Sequence, residues 1–334
     1  MEPTFVLRNL ADNLHAVLVK LRDGESRPCE NFNPQDFWEK LEQTFKATSQ
    51  EATKMSLAFS KAPLPSGEDS QKLSDGLVNA VLAAATVYCS LPKTQGTTLR
   101  KAVRESVAEI IEGIIQLVEG ILRSLLQSQP QAQLVSTGNV WEACDQWPQI
   151  PKENRAAVIV LVSGYLAVVK DAVEEVEQAM ADGEDPFHDV LEDDVTGIRG
   201  NQDTYWSEAD RQLLTPCVGL MKASKACLKK VLGALKAHGN VDSVENVAQL
   251  DDIAEITQEI SPSVDELALS MYPPMNHTAV RYNAAKLSSV LKKVLEIIRT
   301  SHVCPDSESP WVQFLNGAID HNLDKIKSLT QNAQ

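Results

Sequence analysis

Asp251, Glu255 and Glu259 recur at steps of four, which lines three carboxylates along one face of a helix. Such a stripe offers ligands for a hard cation or groups for general acid–base work, but either needs further groups from a facing helix. A solvated helix face accounts for the same stripe with no ligand at all. The six histidines (His15, His188, His238, His277, His302, His321) stand apart, with no HExxH pair and no Cys/His cluster of zinc spacing. Cys217 and Cys227 are candidates for redox chemistry, yet both fall near a heptad seam, where buried small side chains are the simpler reading. No glycine-rich phosphate loop occurs. The expectation is a protein without catalytic residues, cofactor or metal.

Three short motifs point to regulation instead. Ser207-Glu208-Ala209-Asp210 fits an acid-directed kinase site and, equally, a helix cap with acids in the first turn. Ser261-Pro262 and Ser309-Pro310 fit minimal proline-directed sites; helix starts explain both. Arg211-Gln212-Leu213-Leu214 has the form of an Arg-x-Leu docking motif, although such motifs bind extended and this one falls in a predicted helix.

The elements that must position these residues are helices. The stretch KENRAAVIVLVSGYLAVVKDAVEEVEQAM (152–180) carries Ile159, Val162, Leu166, Val169, Val173, Val176 and Met180 at alternating steps of three and four, one apolar stripe along a helix. From Ser207 to His238, Leu214, Met221, Leu228 and Leu235 recur at heptad intervals, with Val218, Lys225 and Leu232 between them. Pro216 removes a backbone donor there and predicts a kink or a late start. Between the two runs lies GEDPFHDVLEDDVTGIRGNQDTYW, whose Glu184, Asp185, Asp189, Glu192, Asp193, Asp194 and Asp203 face a single Arg199. That composition predicts a mobile acidic loop. The shape is helix, loop, helix, but the preceding NVWEACDQWPQIPK is nearly uncharged and broken by Pro148 and Pro151. It cannot supply the basic arm with which DNA-binding helix–loop–helix proteins grip phosphates.

Elsewhere the spacing predicts helices over roughly 5–21, 34–59, 68–91, 99–126, 248–260, 262–271 (Ser261 its cap), 280–298 and 311–329, with 127–139 (QSQPQAQLVSTGN) a loop. The 99–126 helix has two adjacent apolar seams and predicts contact from more than one side. Nothing alternates at steps of two, so the fold is all-α: two packed helical bundles joined by the helix–acidic loop–helix segment. The predicted division is an N-terminal bundle 1–182, the acidic loop 183–206 and a C-terminal bundle 207–334.

A chain of 334 residues has room for two cores, and 46 acidic against 31 basic residues leave a charge of −15. That balance argues against nucleic acid or an anionic membrane as partner. The run AAVIVLVSGYLAVV reads as too short to span a bilayer. The scattered cysteines (Cys29, Cys89, Cys144, Cys217, Cys227, Cys304) suit reduced thiols of the cytosol or nucleus. The N-terminal segment does not read as a signal peptide, so the sequon Asn276-His277-Thr278 reads as chance.

Long strings carry a more specific likeness. LPKTQGTTLRK (91–101), VWEACDQWPQIPKENRAA (140–157), TYWSEAD (204–210), ASKACLKK (223–230) and AQLDDIAEITQEISPSVDELALSMYPPM (248–275) together resemble the cyclin-D-binding, or Grap2-and-cyclin-D-interacting, family. The resemblance implies a dominant-negative helix–loop–helix regulator without a basic region, present in cytoplasm and nucleus. It implies D-type cyclins, helix–loop–helix transcription factors and a Grap2-like adaptor as partners, and lowered phosphorylation of the retinoblastoma protein. The residues alone leave open a cytoskeletal adaptor bundle of the vinculin or α-catenin kind. The expected partner surface is the 152–238 seam: Ile159, Val162, Leu166, Val169, Val173 and Val176 on one helix, Leu214, Met221, Leu228 and Leu235 on the other. Seven apolar side chains on the first stripe represent on the order of 10–20 kcal/mol of gross burial. The stripe is therefore expected to pack in the chain's own core.

Overall fold

The computed structural model describes residues 2–24, 26, 31–127, 131–182 and 205–331. Among them there is no strand, and eleven α-helices carry the fold. In the first unit these are α1 (Pro3–Arg22), α2 (Pro34–Ala58), α3 (Gly67–Cys89), α4 (Thr97–Gln127) and α5 (Gln131–Asp145). Then follow α6 (Asn154–Asp182), α7 (Glu208–His238), α8 (Val244–Thr257), α9 (Ile260–Met271), α10 (His277–Thr300) and α11 (Ser309–Gln331). The fold is all-α, as the periodicity predicts.

The starts of the helices follow from local chemistry. Asn33, Ser66, Ser207, Ser243 and Asn276 each accept a hydrogen bond from the backbone three residues on, which satisfies an otherwise orphaned N–H. Asn276 is thus a helix cap. Ser207 forms a full capping box, since the Asp210 carboxylate accepts in return from the Ser207 N–H at 2.9 Å.

The chain forms two compact units, 1–157 and 158–334. In the first, α1, α3, α2, α5 and α4 pack in that order as a closed ring, and α4 touches α1, α3 and α5. Both of its apolar seams are needed for this: Val103, Val107, Ile110, Ile114, Leu117 and Ile121 are buried, and so are Ile111, Ile115 and Val118. Buried Arg100 ties helix ends together. It donates to the carbonyls of Leu91 and Gly24, the latter at 3.1 Å, and to the Tyr88 hydroxyl at 3.2 Å.

Three sequence expectations need correction here. Residues 131–139 are not loop but the first half of α5, which shows no clean apolar period. It is held by the packing of Val140 against Gly113 of α4 and by the buried Ser56–Thr137 hydroxyl pair at 2.7 Å. Ser261 is not a cap: α9 already begins at Ile260, whose side chain is fully buried, and Pro262 falls harmlessly in the first turn. The third concerns length. Within α6 an 18-residue window reaches a mean hydropathy of 1.9, so this helix is long and apolar enough to cross a membrane by composition. In this fold Val158, Val162, Val169, Val173 and Val176 serve a core, while Val160 and Val168 are exposed.

In the second unit α10 packs against α7, α8, α9 and α11, and α7 also meets α9 and α11. Val158, Val162, Val169, Val173 and Val176 of α6 belong to this core. The sequence reading draws the boundary at 182, while the pattern lets the 152–182 helix belong to either bundle; by its contacts, 158–182 groups with the second unit. The predicted acidic loop lies, from 183 to 204, outside the described residues; Tyr205 and Trp206 follow it.

Candidate functional site

The α6–α7 seam gathers every residue expected to meet a partner into one core. Val162, Val169, Val173 and Val176 are buried, as are Leu214, Met221, Leu228 and Leu235. Ile159 and Leu166 lie at the margin, partly buried against the same cluster. The heptad run of α7 continues through Pro216, which is itself buried, so the predicted late start does not occur. The Arg-x-Leu motif lies in the first turns of this helix with Leu213 and Leu214 both 1% exposed. An extended docking pose would require unwinding that end.

Sequence reasoning overlooked what pins α7 in place. The Trp206 indole N–H donates to the Met271 carbonyl at 2.6 Å, and its ring lies 6.3 Å from that of Tyr272. One turn on, Asp210 meets His277 Nε2 at 2.6 Å. Burial works against the Asp210 carboxylate, but hydrogen bonds from His277 and Ser207, with the charge of His277, outweigh it and hold the acid below its usual range. The signal lay in TYWSEAD, where a tryptophan directly precedes a capping box.

An ion pair lies at the rim. Lys222 of α7 pairs with Glu177 of α6 at 2.5 Å over a shallow groove of about 390 Å³ lined by Met180, Thr215, Val218 and Gly219. Over residues 160–168 the opposite face of α6 is apolar yet open, with Val160 60% and Val168 47% exposed. That face was not singled out in the sequence, because the 3–4 stripe drew attention to the buried side.

The seam offers burial, not bond chemistry. Desolvation pushes the thiols of Cys217 and Cys227 up to about 12, so neither is a thiolate at neutral pH. Asp251 and Glu255 run along α8, and Glu259 caps α9. Among the described residues no group of three or more His, Cys, Asp or Glu side chains is placed to hold a metal ion.

Comparison with known proteins covers the chain almost end to end. The family model described as Grap2 and cyclin-D-interacting, N-terminal, matches residues 40–182, and its C-terminal counterpart matches residues 191–296. The chain is 72% identical over 333 residues to the cyclin-D1-binding protein 1 homolog of Xenopus laevis, covering 100% of both. It is 49% identical to the cyclin-D1-binding protein 1 homolog of Danio rerio, across 98% of this chain and 96% of that one. With the cyclin-D1-binding protein 1 of Homo sapiens it shares 46% identity, across 98% and 94%.

Proposed function

This chain belongs to the Grap2 and cyclin-D-interacting family, and from that premise we propose that it is a non-enzymatic regulator that binds D-type cyclins. The observation that carries the reading is its full-length likeness to relatives named for binding cyclin D1. The partner surface in this proposal is the α6–α7 seam, a helix–connector–helix pair rich in apolar side chains. Residues 147–153, directly before α6, contain one basic residue, Lys152, and two prolines. A helix–loop–helix transcription factor paired through these helices would lose one DNA-reading half, which makes the protein dominant-negative without binding DNA itself. In the same reading a Grap2-like adaptor is a further partner. The protein restrains cell-cycle progression and retinoblastoma-protein phosphorylation in both cytoplasm and nucleus.

Because the seam is buried, a partner reaches it only when α6 lifts from the core. The test is calorimetric titration of a purified D-type cyclin into the full chain, with amide hydrogen exchange followed across 158–182 and 208–238. Saturable binding with altered exchange in both helices is expected. Absence of binding would remove the cyclin from the reading, and binding with unchanged exchange would move its site off the seam.

A further inference from the structure

Within the first unit, Trp38 of α2 and Trp147 form a corner, with ring centroids 5.9 Å apart and planes tilted by 55°. Between them sits an ammonium group. Lys152 Nζ lies 3.4 Å from the Trp147 centroid and 4.6 Å from that of Trp38, and it donates to the Trp147 carbonyl at 3.3 Å. Both walls are braced from behind. Phe37 meets Trp38 edge-on at 4.8 Å, Phe45 meets Trp147 edge-on at 5.6 Å, and both phenylalanines are buried. The tryptophans themselves are half-buried, so the mouth of the clamp is open to solvent. Burial pushes the Lys152 ammonium below the ordinary lysine range, and the nearby Glu42 carboxylate offsets this in part.

Two braced indoles closing on an ammonium are the elements of an aromatic cage, the arrangement that recognises alkylated ammonium ions through the ring quadrupoles. We propose that Trp38 and Trp147 form a binding site for the trimethylated lysine of a basic protein segment, with Lys152 as its resident competitor. The choice of ligand follows from that competition. Lys152 is tethered, so it faces the cage at an effective concentration of roughly millimolar or more. An unmodified lysine in trans offers the same strongly hydrated ammonium and cannot displace it. A trimethylammonium head sheds water at far lower cost and spreads its charge over methyl groups that pack on the indole faces, so it can. The net charge of −15 favours a basic carrier segment. No residue of the α6–α7 seam takes part, so the site stands independently of the cyclin reading.

The full-length protein, wild type and Lys152→Ala, is titrated with Nε-trimethyl-lysine amide and with unmodified lysine amide, following the indole N–H resonances of Trp38 and Trp147. In the variant, the trimethylated probe is expected to shift both resonances and to bind at least about tenfold more tightly than to wild type, the advantage that removal of a tethered competitor gives. It should also bind at least about tenfold more tightly than unmodified lysine, and Trp147→Ala on the same background should abolish the response. In wild type, saturating probe should return the ring-shifted Lys152 ε-methylene resonance to its free-lysine position, a readout that needs no variant. Indole resonances that ignore the probe in Lys152→Ala, or respond equally to both amides, would overturn the proposal. So would a Lys152 resonance unmoved at saturation.

Discussion

Asn154 holds the start of α4 from the far side of the first unit. Its side-chain oxygen accepts from the Leu99 N–H at 2.9 Å, and the residue is 1% exposed. The approach is possible because Gly96 has φ of +111° and no side chain; an added Cβ would collide with the Asn154 amide. Asn154→Ala should therefore lower stability by about 1–2 kcal/mol, the cost of losing a helix-terminal acceptor. Gly96→Ala should cost more, since it adds backbone strain to the clash. Urea unfolding of the full chain measures both. A second prediction concerns Asp210, whose pKa is lowered in the folded protein. A depressed carboxylate contributes stability that is present above its unfolded pKa and lost as pH falls through the folded value. The difference in melting temperature between wild type and Asp210→Ala should thus shrink as pH falls from about 5 to below about 4, through and beneath the ordinary carboxylate range. A difference that grew over that acid window would rule out the capping box and the His277 contact as its source.

One step along α6 separates a core position from a surface one, which makes the helix its own control. Val169 is 0% exposed and Val168 47%. Val169→Asp places a charge in the second core and should cost at least about 3 kcal/mol, whereas Val168→Asp should stay within about 0.5 kcal/mol. Thermal denaturation of the two variants decides it; equal losses would mean that α6 does not present this register to α7. That register was legible in the sequence because valine and leucine recur at steps of three and four from Ile159 to Met180, and helical geometry converts the recurrence directly into a face. The heptads of α7 and the double seam of α4 were legible for the same reason. α5 was not. Its stretch from Gln131 to Gly138 holds Ser136, Thr137 and a glycine, with no period to mark a face, and it is helical because tertiary partners override weak propensity. Val140 seats on Gly113 there, and Trp141 donates to Thr53 at 2.8 Å. Such pairings join residues far apart in the chain and leave no local trace. The Trp38–Lys152–Trp147 clamp was missed likewise: Trp147 and Lys152 are close in sequence, but Trp38 comes from α2, more than a hundred residues earlier, and only the closed ring of helices brings it to them.

For the whole molecule, the burial of the seam sets the kinetics of any partner that uses it. Five fully or nearly buried valines on α6 represent on the order of 8–15 kcal/mol of gross apolar burial, comparable with the entire stability of a domain. Lifting α6 from the core is therefore close to unfolding the second unit, and the open form is a small fraction of the population. A cyclin that binds only this form must wait for it. In stopped-flow mixing of the full chain with excess D-type cyclin, the observed rate should rise and then level off at the opening rate, because opening becomes limiting once capture is fast. Val169→Ala, which removes buried methyl groups, should raise that plateau several-fold by destabilising the closed state, with the direction set by cavity formation. A rate that climbs linearly across the accessible range, and ignores Val169→Ala, would mean that no opening step precedes binding. The partner would then dock on a surface already exposed, and the open face of α6 around Val160 and Val168 would be the first place to substitute.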